Sequence, residues 1–426
     1  MSKRIVQLRG GLPPPSASPN AGAGLGAGVS AGSHLPTPIS ASTSTPLSAL
    51  AARAHRELNM AMSSLDEFDE EDEDADIDSA YSSRAASTRS LRYQPADWTS
   101  YFDERREIVL DNGWKHVVYL SAGCSPTAPV IVFHHGAGLS ALSFSLVARN
   151  IRNNSEQSLA VLAFDARGHG HTVPADENSA SDANDPDLSL PALATDTAKI
   201  LEAVFPNHSE VILAGHSMGA AVMTECVSGK YVQKVAGLAI IDIAEGNQQA
   251  IDMTRSFILR RPTAFTSVHS AIEWHISSRI IRTKESARIS VPPIVAPHEQ
   301  PSLDAVSWRT DLLATEKYWA SWFTDLDAKF LTCKCAKLLM ISSTDVITKV
   351  LMIGQMQGKF QTEPFTGCGH LLHEDDPTRA ADLLLRFWQH TRPVIVTKNL
   401  PGQPAQVIQP PSPISPSKSL SPPNAQ

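Results

Sequence analysis

Val211-Ile-Leu-Ala-Gly-His-Ser-Met-Gly-Ala-Ala-Val222 is the stretch that decides the fold. Four apolar residues run straight into Gly215-His216-Ser217-Met218-Gly219, and small, helix-compatible residues follow. That pattern is a buried strand, a tight turn and a helix. Packing strand against helix so closely leaves no room for a Cβ at Gly215 or Gly219, and it forces the serine between them into a strained backbone conformation. Strain of this kind is kept where it lifts an Oγ to the carboxyl edge of a sheet, beside a helix N-terminus. Gly, Ser and Gly at this spacing arise about 0.1 times by chance in such a chain, so the pentapeptide alone is weak evidence. An apolar strand before it and a helix after it make the pattern specific. Ser217 is the candidate nucleophile.

Outward from that stretch, Pro129-Val-Ile-Val-Phe133 and residues 159–164 are continuous apolar runs, as expected of strands buried on both faces of a parallel sheet. The first ends in His134-His135-Gly136-Ala137-Gly138, the second in Asp165-Ala-Arg-Gly-His-Gly170. Amphipathic helices are predicted over 142–151 and 190–205, the second with Asp196 and Lys199 on its wet face. A polar surface loop is predicted over 174–186. Residues 107–110 and 116–120, separated by Asp111-Asn112-Gly113, read as a β-hairpin. Residues 235–241 form a further strand that runs into Asp242-Ile-Ala-Glu-Gly246. Residues 248 to about 330 turn to helical periodicity, carry Trp274, Trp308, Trp319 and Trp322, and are broken by a Pro-rich run over 291–301. An insertion there suits a cap or lid. Residues 338–342 and 359–365 resume the sheet, and 380–390 is a last amphipathic helix. Strands alternating with helices imply an α/β protein with a mostly parallel, doubly wound sheet.

The expected organisation is a disordered arm over 1–90, one catalytic domain over 91–397, and a disordered Pro/Ser-rich tail over 398–426. Of the net charge of −8, part is local to an acidic run between Asp66 and Asp78. No global basic balance of the sort a nucleic-acid binder needs is present. The five cysteines are too scattered for a disulfide framework, and Cys333 and Cys335 are not at metal-ligand spacing. No signal peptide and no run of about 18 apolar residues is visible. The expectation is a soluble monomer of the cytoplasm and/or nucleus, without membrane or nucleic-acid partners.

A serine hydroxyl is a poor nucleophile at neutral pH, so it needs a base, and the base needs an orienting acid. His370, in a Gly-Cys-Gly-His loop after the last strand, is the better placed base; His373, three residues on, reads as a structural hydrogen-bonding residue. For the acid, Asp242 and Asp345 both stand at strand carboxyl ends, and spacing does not separate them. The order Ser, acid, His is that of the α/β-hydrolase fold, here with a helical cap insertion. The oxyanion hole needs two N–H groups, expected from Met218 and Ala137. No metal set and no dinucleotide fingerprint appears, so no cofactor is expected.

Several segments together resemble the protein phosphatase methylesterase family over roughly residues 98 to 393. They are His135-Gly-Ala-Gly-Leu-Ser-Ala-Leu-Ser143, Asp165-Ala-Arg-Gly-His-Gly170, Gly215-His-Ser-Met-Gly219, Ile241-Asp-Ile-Ala-Glu-Gly246, Ala271-Ile-Glu-Trp274, Met352-Ile-Gly-Gln-Met-Gln-Gly-Lys-Phe360 and Cys368-Gly-His-Leu-Leu-His-Glu-Asp375. The fourth and sixth are the most particular to that family. The resemblance implies an esterase that removes the methyl ester from the C-terminal leucine of the type 2A protein phosphatase catalytic subunit, with Ser217 as nucleophile, His370 as base and Asp242 as acid. It also implies an enzyme that engages its partner's active site and is switched on by docking. The chain departs from the family in having Ala137 where a glycine often stands, a change that keeps the backbone donor. The tryptophan-bearing insertion is the expected docking surface. Rival readings are a protein that chiefly holds inactive phosphatase, and a general small-molecule esterase or lipase. Serine at the elbow disfavours haloalkane- or epoxide-hydrolase chemistry, which uses aspartate there.

Overall fold

The computed structural model describes residues 92–391 except 157, 177–184, 244–247, 299–303 and 345–346, with three short strands beyond them, Ile5–Gln7, Val396–Lys398 and Gln406–Ile408. The remainder of the arm and tail, the acidic run, most of the polar 174–186 loop and Asp345 lie outside the described residues.

The Asn-Gly turn sets the first hairpin. β1 (Glu104–Val109) and β2 (Trp114–Ser121) pair antiparallel, with Gly113 at φ 82° completing the turn. Then come β3 (Val130–His134), α1 (Ser145–Asn154), β4 (Ala160–Phe164), α2 (Leu190–Val204), β5 (Val211–His216), α3 (Met218–Ser228) and β6 (Val235–Ile241). The insertion holds α4 (Gln248–Arg260), α5 (Val268–Ser277), α6 (Lys284–Ser290), α7 (Glu316–Phe323) and α8 (Leu326–Thr332). The chain closes with β7 (Ala336–Ile341), α9 (Lys349–Met356), β8 (Gln361–Pro364), α10 (Leu372–Asp375) and α11 (Pro377–Thr391).

The main sheet runs β1-β2-β4-β3-β5-β6-β7-β8, parallel from β4 onward, with Ile5–Gln7 added in parallel outside β1. Strands β3, β4 and β5 are buried along their whole length, which is why they read as unbroken apolar runs. One face packs on α2, α3 and α8, the other on α1 and α11. The register brings the carboxyl ends level: His134 pairs with Phe164 and Gly215, His216 with Ile241, Met340 with Ile241, and Ile341 with Pro364. Residues that follow these ends therefore share one edge, the place where open α/β sheets bind ligands.

The insertion is mainly helical, as its periodicity predicts, and carries three short strands besides. Ala264–Phe265, Val295–Pro297 and Val306–Trp308 form a small antiparallel sheet, too short for an alternating pattern to register. Trp319 and Trp322 belong to the main core, their indole N–H groups donating to Thr315 Oγ1 and Leu188 O. Trp274 and Trp308 pack edge-to-face inside the small sheet's own cluster. Trp319 and Trp322 thus anchor the insertion to the main core, while the half-buried Trp274 and Trp308 pack within the small sheet's cluster. The conspicuous exposed apolar face is on α9, where Val350, Met352, Ile353 and Met356 project outward, Met356 at 84% exposure.

Asp196 is also not on a wet face. It is buried on α2, where Arg167 grips it through Nε and Nη2, each at 2.7 Å, and Asn112 Nδ2 donates at 2.6 Å. Burial alone would raise its carboxyl; His116 and Arg167 outweigh that and bring it down from 3.8 to about 2. Lys199 stays at the surface and pairs with Asp111. Asp196→Ala leaves the buried Arg167 guanidinium without its partner. We expect a loss of about 3–5 kcal/mol in urea unfolding, against less than about 1 kcal/mol for Lys199→Ala.

Candidate active site

Ser217 sits between β5 and α3 at φ 51°, ψ −120°, a conformation an L-residue holds only when its surroundings dictate it. The surroundings are backbone. A Cβ on Gly215 would lie 2.2 Å from Gly219 O, and one on Gly219 would lie 2.1 Å from His134 O. Ser217 N–H donates to Ile241 O at 3.1 Å, tying the turn to β6. The side chain is lifted to the carboxyl edge of the sheet, where the helix dipole of α3 begins.

Asp242 leaves β6 in a left-handed conformation, φ 49°, and its N–H donates to Met340 O at 2.8 Å. Its two oxygens are both used. Oδ1 accepts Ser342 N–H at 2.6 Å, and Oδ2 stands 2.8 Å from His370 Nδ1. A carboxylate only accepts, so Nδ1 carries the proton, which in the neutral ring leaves the lone pair on Nε2. The His370 side chain is 56% exposed and that of Asp242 8%. Sequence and structure thus bring Ser217, Asp242 and His370 to one edge, although among the described residues no hydrogen bond joins Ser217 Oγ to His370. The Ser342 N–H contact went unforeseen. It comes from backbone register, which no side-chain motif reports.

Met218 N–H and Ala137 N–H, the expected oxyanion donors, carry no hydrogen bond among the described residues. Ala137 N–H belongs to the same peptide unit as Gly136 O, and His135 fixes that unit. Ala166 N–H donates to His135 Nε2 at 3.0 Å, so His135 holds its proton on Nδ1 and donates it to Gly136 O at 2.8 Å. Gly136 must be glycine, since a Cβ would come within 2.8 Å of His216 Nδ1. Asp165 buttresses the loop from below, accepting Ala141 N–H and His171 N–H at 2.8 Å each. Leu312 and Thr310 of the insertion close over this side, Leu312 against Gly138 and Thr310 Oγ1 donating to Gly168 O.

The arrangement is a hydroxyl, an imidazole oriented by a carboxylate, and two unengaged N–H groups at a helix start and a tight loop. It is suited to acyl transfer. Residues 131–383 match the α/β hydrolase family. A protein phosphatase methylesterase 1 of Yarrowia lipolytica is 38% identical over 335 residues, covering 74% of this chain and 77% of that protein. Those of Schizosaccharomyces pombe and Cryptococcus neoformans are 35% and 39% identical, covering 72% and 64% of this chain and 89% and 67% of theirs. Among solved structures, an E-2-(acetamidomethylene)succinate hydrolase superposes with a TM-score of 0.55 at 16% identity, covering 67% of this chain and 99% of its own. The thioesterase domain from the curacin biosynthetic pathway gives 0.50 at 20%, covering 66% and 98%. At such identities the structural matches speak for the fold alone.

Around and behind the site lie histidines that burial keeps neutral. His373 is structural, but it does not hydrogen-bond as its position in the sequence suggests. It stacks on Phe144 at 4.5 Å, lies 4.7 Å from His216, and neither ring nitrogen has a partner among the described residues. Burial, and secondarily the His370 charge, push it from 6.5 to about 3. Burial likewise lowers His134, His169 and His275 to about 4. A folded-state value below the unfolded one means that the unfolded chain takes up the proton first. The contribution of each of these histidines is thus complete above about 6.5 and is lost as the pH drops toward 4, by about 1.4 kcal/mol per pH unit. The buried Asp165 opposes this loss, since burial raises its carboxyl from 3.8 to about 6. Urea midpoints measured between pH 7 and 4.5 read the sum of these slopes. His373→Phe should flatten it by about one proton and leave the neutral-pH midpoint unlowered, since it removes an imidazole whose nitrogens are unpaired.

Proposed function

Because the chain belongs to the protein phosphatase methylesterase family of α/β hydrolases, we propose that it is a serine carboxylesterase that hydrolyses the methyl ester on the C-terminal leucine of the type 2A protein phosphatase catalytic subunit. The observation that carries the reading is the 2.8 Å contact of His370 Nδ1 with Asp242, at the sheet edge that also bears the strained Ser217. His370 Nε2 takes the proton of Ser217 as Oγ attacks the leucine ester carbonyl. Met218 and Ala137 N–H hold the oxyanion, and His370 returns the proton to departing methanol. Water then attacks the acyl-enzyme with His370 again as base, releasing the free leucine carboxylate. Asp242 keeps the imidazole in its productive tautomer and stabilises the imidazolium. No resident cofactor enters this scheme.

The substrate is a protein terminus, so a docking surface must exist outside the pocket. The exposed apolar face of α9, which follows the β7 end that holds Asp242, supports a contact there. Docking is the step that we propose brings His370 Nε2 to Ser217 Oγ, two groups that no hydrogen bond joins among the described residues.

Ser217→Ala should lower demethylation of the methylated phosphatase by a factor on the order of 10⁴ to 10⁶, read as loss of methyl ester, while phosphatase capture is retained. Capture lost together with turnover would merge the two roles. Turnover of p-nitrophenyl esters with none on the methylated phosphatase would move the chain to the general esterases. Met356→Glu should weaken demethylation through KM and spare small-ester turnover.

A further inference from the structure

The loop that presents His370, residues 366–371, is backbone-bonded at its two ends, by Cys368 N–H to Phe365 O at 3.3 Å and by Glu374 and Asp375 N–H to Leu371 O at 2.8 and 3.0 Å. Among the described residues Gly367, Gly369 and His370 make no backbone–backbone bond. Side chains from elsewhere hold it. Asp375 Oδ2 accepts Gly369 N–H at 2.7 Å, and its Oδ1 accepts Arg282 N–H at 2.9 Å. The Arg282 guanidinium donates through Nη1 to Gly367 O, and its Nε stands 3.6 Å from Asp375 Oδ2. On the other side of the base, His216 Nε2–H donates to His370 O at 3.0 Å. The Asp375 side chain is 2% exposed. Arg282 lies between α5 and α6, inside the insertion, and its neighbours Thr283 and Ser286 also donate to the Asp375 and Glu374 carbonyls, at 3.0 and 2.7 Å.

We propose that Asp375 and Arg282 are positioning residues for the base. They clamp the peptides just upstream of His370, fix the distance from its Nε2 to Ser217 Oγ, and make that distance depend on where the insertion sits. The proposal rests on the esterase reading with His370 as base. The imidazole is half exposed and Asp242 is its polar anchor, so the placing of the ring falls to the backbone that carries it. The clamp spans the loop from Gly367 to Gly369: the buried Asp375 carboxylate ties the Gly369 peptide to the insertion through Arg282 N–H, and the Arg282 guanidinium ties the Gly367 peptide to it directly. Glu374 is not part of the clamp: its side chain accepts from Ser290 Oγ at 2.6 Å, inside the insertion's packing.

Asp375→Asn is nearly isosteric, but the amide offers one oxygen where two N–H groups converge, so one must move. A displacement of about 1 Å at a reacting group costs on the order of 10²-fold in rate. The test is steady-state hydrolysis of p-nitrophenyl acetate by the full chain, comparing wild type with Asp375→Asn, Arg282→Ala, Arg282→Lys and Ser217→Ala, with melting temperatures measured alongside. For Asp375→Asn and Arg282→Ala, kcat should fall between about tenfold and 10²-fold with KM held within about threefold. Arg282→Lys, which keeps a donor for Gly367 O, should recover part of the loss. Unchanged kcat in both Asp375→Asn and Arg282→Ala overturns the proposal even if melting temperatures drop. Should Asp375→Asn fail to fold, the partly exposed Arg282 pair decides alone. Ser217→Ala indistinguishable from wild type would overturn the esterase reading, and the clamp with it. An inactive Ser217→Ala beside a fully active Asp375→Asn and Arg282→Ala would overturn the clamp only.

Discussion

Everything at the sheet edge depends on how closely α3 approaches β5 and β3 through bare backbone. At Gly215 and Gly219 the neighbouring carbonyls occupy the space a side chain would need, with Cβ positions 2.2 and 2.1 Å from oxygen. No adjustment of a flexible side chain could relieve such contacts, because the atoms met are main chain. The approach forces the positive φ of Ser217, points its hydroxyl out of the sheet and brings the free N–H of Met218 beside it. Strain in one residue is thus kept by the packing of two whole elements, the usual condition under which strained residues persist at reacting centres.

From that point outward, strand register does the placing. Each candidate group stands just after a strand whose end is level with its neighbours: His135 after β3, Asp165 after β4, Ser217 after β5, Asp242 after β6 and Ser342 after β7. The base is the exception. His370 comes six residues after β8, on a loop with no ladder to fix it, and it is held by His216, Asp242 and Asp375. The nucleophile's position is therefore set by backbone packing and the base's by side chains. A change outside the core reaches the base more readily than it reaches the nucleophile.

This division also explains what could be read from the sequence. Urea unfolding of Asp196→Ala bears on one side of it, since Asp196 is an acidic residue on an amphipathic helix that reads as solvent-facing. Its burial is tolerable only because Arg167, 29 positions earlier, forks onto it. The strands, Ser217 and the hairpin were legible because they rest on local pattern: apolar runs, paired glycines, an Asn-Gly turn. Asp242 was legible only as one of two strand-end aspartates until the family resemblance favoured it, and its contact with His370 spans 128 positions. Asp375 lies in a quoted motif, yet nothing local reveals that it bonds Gly369 and Arg282, the latter 93 positions away. The small sheet of the insertion escaped because strands of two or three residues carry no period.

The insertion joins these themes. Its tryptophans pack into the main core and into the small sheet's cluster, so its value to the site lies in where it touches the body. It meets the oxyanion side through Leu312 and Thr310, and the base side through Arg282, Thr283 and Ser286. The elbow between them has no such dependence, being set by β3, β5 and β6. A shift of the insertion against the sheet would leave Ser217 in place while moving what surrounds it on both sides. In a protein whose proposed substrate is the terminus of another folded protein, that asymmetry lets contact with the substrate's surface bear on catalytic geometry without disturbing the strained residue at its centre.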